Sequence, residues 1–163
     1  MIGACAPAGH RVRDRVLPPA PVTPAFCHRI EVRFRDCDAF RHVNNAVYFT
    51  YFEQARFVMG ETLGLRRTLE DAGVSLILAH TSCDYKAQVV FGEQLEIQVS
   101  VTGIGRSSFT SRFDARRVRD DALVATGKSV QAVFDYKTGR TVPIPVALRE
   151  KLEALLATTA TPS

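Results

Sequence analysis

The sequence predicts one domain of the α+β class, in which an antiparallel sheet of about five strands wraps around one long apolar helix. A strand-like segment precedes a long helical segment, and four more alternating segments follow with short connections. The helical segment is apolar on nearly all sides, so it needs cover that a curved sheet can supply. A chain of 163 residues is long enough for one such core and too short for two.

The first strand is predicted over residues 27–35. There Ile30, Val32 and Phe34 alternate with charged residues, which is typical of a strand with one buried face. A polar turn over residues 36–45 follows and connects this strand to the long helix.

The long helix is predicted over residues 46–63. Apolar residues recur at spacings of three and four, and others cover the opposite side, which indicates burial nearly all round. Either Asn44 or Asn45 suits its N-cap, because an Asn side chain accepts the unpaired N–H groups of a first helical turn. Residues 65–72 are predicted as a short second helix or a turn.

The remaining sheet comes from four alternating or apolar segments. They span residues 74–85, 94–102, 107–119 and 122–136. The connections between them are short, which favours antiparallel neighbours along the chain. A short amphipathic helix is predicted from Pro145 to about Leu156.

Domain boundaries follow from composition. Residues 1–25 carry several prolines and arginines and are expected to be a disordered or non-native tail, with a transit peptide as the alternative. The folded domain is expected to span residues 26–157, and residues 158–163 are expected to be a C-terminal tail.

Charge and composition exclude several function classes. The net charge of +4 (21 basic minus 17 acidic residues) is too mild and too dispersed for a nucleic-acid-binding face, so no nucleic acid is expected as a partner. It is compatible with an anionic small-molecule ligand. No apolar stretch of about 18 residues exists, so no membrane partner is expected either.

The four cysteines indicate neither disulfides nor a metal site. They are widely spaced, without a CxxC pair, and no export signal is visible. Reduced thiols in a cytoplasmic protein are the expectation.

The densest chemistry lies in residues 36–48, between the first strand and the long helix. Asp38 is the first catalytic candidate, because a carboxylate near a helix N-terminus can attack a carbonyl or activate water. A plain turn-capping role for Asp38 is equally open on the residues alone. The N–H groups at the start of the helix, near Asn45, suit developing negative charge on an oxygen.

Residues 36–48, DCDAFRHVNNAVY, followed by YFEQAR at residues 51–56, resemble the signature of hotdog-fold acyl thioesterases. The resemblance is to the 4-hydroxybenzoyl-CoA thioesterase branch of acyl-CoA thioester hydrolases and covers residues 27–136 in element order. It implies hydrolysis of an acyl-CoA substrate without metal or bound cofactor. It also implies a homodimer or homotetramer with active sites at subunit interfaces.

The resemblance assigns roles within the motif. It implies that Asp38 is the nucleophile or general base and that Asn45 supplies the backbone oxyanion donor. In thioesterases acting on acyl carrier protein, a similar run uses both its Asp and its His. Those enzymes carry Asn where this chain has Phe40, so His42 is either a catalytic participant or a wall of the pocket.

For coenzyme A, the resemblance points to the turn after the third strand. Arg106 is the phosphate candidate there, with Ser107 beside it. Lys86, just after the second strand, is a further candidate, although each of these is otherwise a solvated surface group. Glu53 lies eight residues beyond Asn45, about 12 Å along the helix, and is expected to pair with Arg56.

Two alternative functions remain. They are an acyl-[acyl carrier protein] thioesterase and a non-catalytic acyl-CoA-binding hotdog protein.

Overall fold

The computed structural model describes residues 23–160, so the first 22 residues of the predicted N-terminal tail and residues 161–163 lie outside the described residues. A short 3₁₀ helix over Phe34–Asp36 follows the first strand. The other elements, in chain order, are β1 Phe26–Glu31, α1 Val47–Thr62, α2 Leu65–Asp71, β2 Ser75–Tyr85, β3 Gln94–Ile104, β4 Ser108–Arg117, β5 Ala122–Asp135, β6 Arg140–Thr141 and α3 Val146–Ala160. No helix within residues 23–160 is long and apolar enough to cross a membrane.

The strands form one antiparallel sheet in the order β1-β3-β4-β5-β2, with the two-residue β6 added beside β5. This confirms an α+β fold with an antiparallel sheet of about five strands. The expectation that successive strands are neighbours holds for β3, β4 and β5. It is wrong for β2 and β3, because β2 pairs with β5 and β3 pairs with β1.

The connection from β2 to β3 crosses the end of the sheet, which explains why these strands are not neighbours. The amides of Lys86 and Ala87 both donate to the carbonyl of Val124, at 2.8 and 3.1 Å. Val89 is buried, and its carbonyl accepts the Val43 amide at 2.8 Å. The crossing is thus held under the polar turn that precedes α1, and it becomes part of the wall around that turn.

Helix α1 lies on the concave face of the sheet. Its buried residues recur at helical spacing and form one stripe: Tyr48, Tyr51, Phe52, Ala55 and Met59. The opposite side is open in the single chain, where Phe57 is 62% exposed. The prediction of a helix buried nearly all round is therefore wrong for one chain, because the sheet covers only the stripe that faces it.

Helix α1 approaches the sheet closely at Gly127. The Phe52 ring stacks on Phe113 of β4 at 4.8 Å, and Gly127 pairs with Phe113 across β4 and β5. A Cβ atom on Gly127 would lie within 2.8 Å of the Phe52 ring. The missing side chain at this position therefore lets the helix sit against the strand.

We expect Gly127→Ala to lower the free energy of unfolding by about 1–3 kcal/mol, because the added methyl overpacks the contact with Phe52. Urea unfolding measures the change. Gly103→Ala is the matched control, since a Cβ atom there would meet only Thr110, at 3.8 Å. An equal loss at both glycines would contradict the argument, and Phe52→Leu should relieve the strain at Gly127 alone.

Candidate active site

The polar turn before α1 is a tight hairpin that places Asp38 beside His42. The amide of Asp38 donates to the carbonyl of His42 at 2.9 Å, and the amide of Asn44 donates to the carbonyl of Asp36 at 2.9 Å. At the tip of the loop, Arg41 has a φ of 65°, the left-handed conformation that closes such a turn. Asp38 and His42 thus lie opposite each other on the two arms of the hairpin.

Asp36 holds the base of this hairpin in place through hydrogen bonds to its side chain. Asp36 is 3% exposed, and its carboxylate accepts hydrogen bonds from the Arg33 amide at 2.9 Å, the Arg33 Nε at 3.1 Å and the Tyr51 hydroxyl at 2.9 Å. Burial acts to raise the pKa of Asp36, but the bonds from Arg33 and Tyr51 outweigh it and hold that pKa below its usual value. The same bonds bend the chain into the 3₁₀ helix, so β1 ends at Glu31 instead of reaching residue 35.

We expect Asp36→Asn to lower the free energy of unfolding at pH 7 by about 1–3 kcal/mol, because the charged acceptor for Arg33 and Tyr51 is lost. The folded-state pKa lies below the unfolded value, so the stabilisation is complete above about pH 4 and is lost as the pH falls through the folded pKa. Urea unfolding across pH should show the two proteins converging in acid. Exposed Asp71→Asn serves as the control, and a difference that grows in acid would contradict the assignment.

The hydrogen bonds at the start of α1 do not use the backbone amide of Asn45. Asn44 Oδ1 accepts the Ala46 amide at 2.9 Å, and the helix begins at Val47 with Ala46 as its N-cap residue, so the predicted Asn N-cap is displaced. The carbonyl of Asn45 accepts the Tyr85 hydroxyl at 2.9 Å. Within the described residues, the amide N–H of Asn45 has no hydrogen-bond acceptor.

A cleft of about 480 Å³ opens beside this amide. It brings together four of the six residues predicted for the site: Asp38, His42, Asn45 and Lys86. Its remaining walls come from the polar turn, the start of α1, the end of β2 and the β2–β3 connection: Val43, Tyr48, Tyr85 and residues 87–89. A carboxylate, an imidazole, an ammonium group and a free backbone amide therefore share one solvent-accessible space.

Two tyrosines of this cleft were missed from the sequence. Tyr48 and Tyr85 pack edge to face at 5.3 Å between ring centres. Burial is the main cause that raises the pKa of Tyr48 to about 12, and the ionisable groups of Cys83 and Tyr85 nearby add to it. The Tyr48 phenol is therefore neutral at physiological pH. Tyr85 is far from the motif in sequence, and only the pairing of β2 with β5 and its bond to Asn45 reveal its place.

Comparison with known proteins identifies the family. The model of the thioesterase-like superfamily matches residues 32–152. The chain belongs to this superfamily. The 1,4-dihydroxy-2-naphthoyl-CoA hydrolase of Synechococcus elongatus is 30% identical over 125 residues, which cover 75% of this chain and 90% of that protein. The long-chain acyl-CoA thioesterase FadM of Escherichia coli is 25% identical over 129 residues, covering 78% and 97%.

A solved structure agrees with this family and with the fold. The thioesterase of Thermus thermophilus, crystallised with coenzyme A and Zn, superposes with a TM-score of 0.71 at 30% identity. The match covers 83% of this chain and 97% of that one. The chain is thus a hotdog-fold thioester hydrolase, as the resemblance implied.

In this thioesterase, Arg106 and Ser107 do not reach the cleft of their own chain. Tyr85, in the cleft, pairs with Ala125 of β5, whereas Ser108 pairs with Ala132 at the other end of the same strand. Seven residues of strand separate these rungs, about 23 Å. The Arg106 turn is held there by α3, where Arg149 Nη2 donates to the carbonyls of residues 105 and 106 at 2.6 and 3.4 Å.

Glu53 and Cys37 also belong to the motif region of this thioesterase. Glu53 is largely exposed on α1, and its nearest cation is Arg56 at 3.8 Å. Cys37 is partly buried inside the hairpin, where it pairs with Val43. Neither residue lines the cleft beside Asp38. Within residues 23–160, no cluster of three His, Cys, Asp or Glu side chains is arranged to hold a metal ion.

Proposed function

We propose that this thioesterase hydrolyses acyl-CoA thioesters in the cleft between Asp38 and Asn45. The observation that carries the proposal is the juxtaposition of a carboxylate with an unpaired amide at the start of a helix, in one cleft. A thioester carbonyl needs an oxygen nucleophile on one side and a donor for its developing negative charge on the other. The names of two relatives, a CoA hydrolase and an acyl-CoA thioesterase, support CoA as the carrier.

In this proposal, Asp38 attacks the thioester carbonyl or deprotonates the attacking water. Its Oδ1 accepts the Phe40 amide at 2.8 Å, which orients the carboxylate. Among the described residues Oδ2 has no hydrogen-bond donor, so it is available to water or to the acyl carbon. Attack transfers the carbonyl electron pair to its oxygen. Collapse of that intermediate breaks the C–S bond and expels the coenzyme A thiolate. If water attacked, the thiolate takes up the proton that Asp38 removed and the free acid is released. If Asp38 itself attacked, collapse leaves an acyl anhydride on Asp38, and a water molecule then hydrolyses it to the free acid and restores the carboxylate.

The proposed oxyanion donor is the amide N–H of Asn45. It is unpaired and lies next to the first turn of α1, where the helix dipole favours negative charge. His42 is proposed as a second polar contact of the reacting group, because a neutral imidazole offers one hydrogen-bond donor and one acceptor. Both residues line the cleft with Asp38.

Coenzyme A is proposed to leave along the rim at Lys86, whose ammonium group attracts phosphate. Arg106 and Ser107 can act on the same coenzyme only across a subunit boundary, so their proposed role requires a homodimer or homotetramer. The open edge of β2 and the exposed Phe57 and Leu78 support such an assembly.

The test of the proposal is thiol release from a panel of acyl-CoA thioesters, with the same acyl groups also presented on acyl carrier protein. We expect release from coenzyme A thioesters with a kcat/KM at least about tenfold higher than from the carrier protein. The reverse preference would favour the acyl carrier protein as substrate. Binding of acyl-CoA in calorimetry without any thiol release would show a binding protein and overturn the catalytic proposal.

A further inference from the structure

Two peptide units flank the Cα atom of Asn45, and among the described residues three of their four polar groups are hydrogen-bonded. The Val47 amide donates to the Asn44 carbonyl at 3.0 Å, and the Ala46 amide donates to Asn44 Oδ1 at 2.9 Å. The Tyr85 hydroxyl donates to the Asn45 carbonyl at 2.9 Å. The fourth polar group is the Asn45 amide N–H, so its direction depends on the bonds made by the other three.

Of these bonds, the one from Tyr85 joins the peptide to the sheet. The two bonds to Asn44 are local, because they connect residues within one turn of the chain. The bond from Tyr85 connects residues 40 positions apart and ties the Asn45 carbonyl to the end of β2. Asn45 and Ala46 are both exposed, so side-chain packing adds little to hold this part of the backbone. The hydroxyl of Tyr85 therefore supplies a large part of the constraint.

The backbone of Tyr85 is itself fixed in the sheet. Tyr85 is the last residue of β2 and pairs with Ala125 of β5, which is fully buried. The next two amides, those of Lys86 and Ala87, both donate to the Val124 carbonyl, at 2.8 and 3.1 Å. The hydroxyl thus extends from a well-anchored strand end to an exposed peptide on the other side of the cleft wall.

The ring of Tyr85 is also held in one orientation. It packs edge to face on Tyr48 of α1, with 5.3 Å between ring centres, and Tyr48 is 3% exposed. Burial, and then the nearby Cys83, raise the pKa of Tyr85, so its phenol keeps its proton at physiological pH. Tyr85 is therefore a permanent hydrogen-bond donor with a fixed backbone and a fixed ring.

We propose that Tyr85 is a positioning residue for thioester hydrolysis. Its hydroxyl fixes the Asn45 peptide so that the neighbouring amide N–H points at the carbonyl oxygen of the bound thioester. This rests on the proposed function, because that amide is the proposed oxyanion donor. Such a donor is effective only when it is already aimed at the place where the charge develops. A freer peptide still admits the substrate but loses alignment in the transition state, so kcat is the quantity that falls.

The test is Tyr85→Phe, which removes the hydroxyl and keeps the ring that packs on Tyr48. We expect kcat for acyl-CoA hydrolysis to fall by about 10- to 50-fold, with KM and the calorimetric Kd of the acyl-CoA within about twofold of the wild type. The matched control is Tyr136→Phe, because Tyr136 is 69% exposed and follows the opposite end of β5. It should leave kcat unchanged. An equal fall in both variants, or a change in KM in place of kcat, would overturn the positioning role.

A double-mutant cycle with Asn45→Pro separates this inference from the proposed function. Proline removes the amide N–H that Tyr85 is proposed to aim, so Tyr85→Phe should lower kcat by less than about twofold when it is added to Asn45→Pro. A full 10- to 50-fold further fall in the double variant would overturn the positioning role and leave the proposed oxyanion donor in place. Full activity in Asn45→Pro alone would exclude that amide as the donor, and the positioning role with it.

A measurement without substrate tests the constraint directly. The nitrogen-15 relaxation order parameter of the Asn45 amide reports its motion on the picosecond to nanosecond scale. This order parameter should be lower in Tyr85→Phe than in the wild type and in Tyr136→Phe. An unchanged value would contradict the inference even if kcat fell. Because no hydrolysis is needed, the result stands apart from the outcome of the thioester panel.

Discussion

Asp38→Asn is expected to lower kcat for acyl-CoA hydrolysis by roughly 10³–10⁴-fold, with the fold unchanged. The amide cannot attack a thioester carbonyl and cannot take a proton from water at neutral pH. Thiol release in steady state measures kcat, and calorimetric binding of the same thioester shows that the substrate still enters the cleft.

This substitution separates the catalytic role of Asp38 from its role in the turn. The only hydrogen bond to the Asp38 side chain within the described residues comes from the Phe40 amide to Oδ1, at 2.8 Å. An Asn side chain keeps an oxygen at that position and is equally suited to such a turn. A residue that only shaped the turn would therefore tolerate the change.

The matched control for Asp38→Asn is Asp84→Asn. Asp84 neighbours Tyr85 on β2 but does not line the cleft, and its side chain contacts Thr126 at 3.5 Å. We expect this variant to keep wild-type kcat within about twofold. Full activity in Asp38→Asn, or an equal loss in both variants, would exclude Asp38 as the nucleophile or general base.

Local sequence patterns predicted most of the elements of this fold. The helix expected over residues 46–63 is α1, and each predicted strand after it matches a strand of the sheet to within about two residues. These elements were predictable because the spacing of apolar residues, with a period of 3.6 in a helix and of 2 in a strand, is visible within a short stretch of sequence. β6 was missed because two residues carry no periodicity.

Pairing between distant segments was not predictable in the same way. The short connection between β2 and β3 favoured these strands as neighbours. In the structure, that connection passes under the polar turn before α1, where Val89 is buried, and crosses the end of the sheet. That crossing puts Tyr85 and Lys86 in the cleft and leaves Arg106 at the other end of the sheet. The motif residues were found from sequence because they are close together in the chain, whereas these partners meet only through strand order.

Arg56 illustrates the same limit on the helix. Its spacing from Glu53 predicted an ion pair, and the two groups do lie near each other. Their unequal burial, 21% against 73% exposed, could not be read from spacing, because it depends on which side of α1 faces β2.

The oxyanion role assigned to Asn45 leads to the second large effect. We expect Asn45→Pro to lower kcat by about 10²–10³-fold, because proline removes the amide N–H proposed to stabilise the thioester oxygen. Asn45→Ala keeps that amide and is expected to lower kcat by less than about tenfold. The two variants change the same position, so their difference isolates the backbone donor from the side chain.

Asn45 precedes the N-cap residue Ala46, so proline there removes no hydrogen bond within the helix. Ala46→Pro is the control for any general effect of proline here. Its φ of −68° suits the proline ring, and its amide bonds only the Asn44 side chain. Ala46→Pro should therefore retain far more activity than Asn45→Pro. Circular dichroism should show the wild-type helix content in both variants. If Asn45→Pro and Ala46→Pro lost activity equally, the effect would come from the shape of the turn, and the oxyanion donor would have to be another group of the cleft.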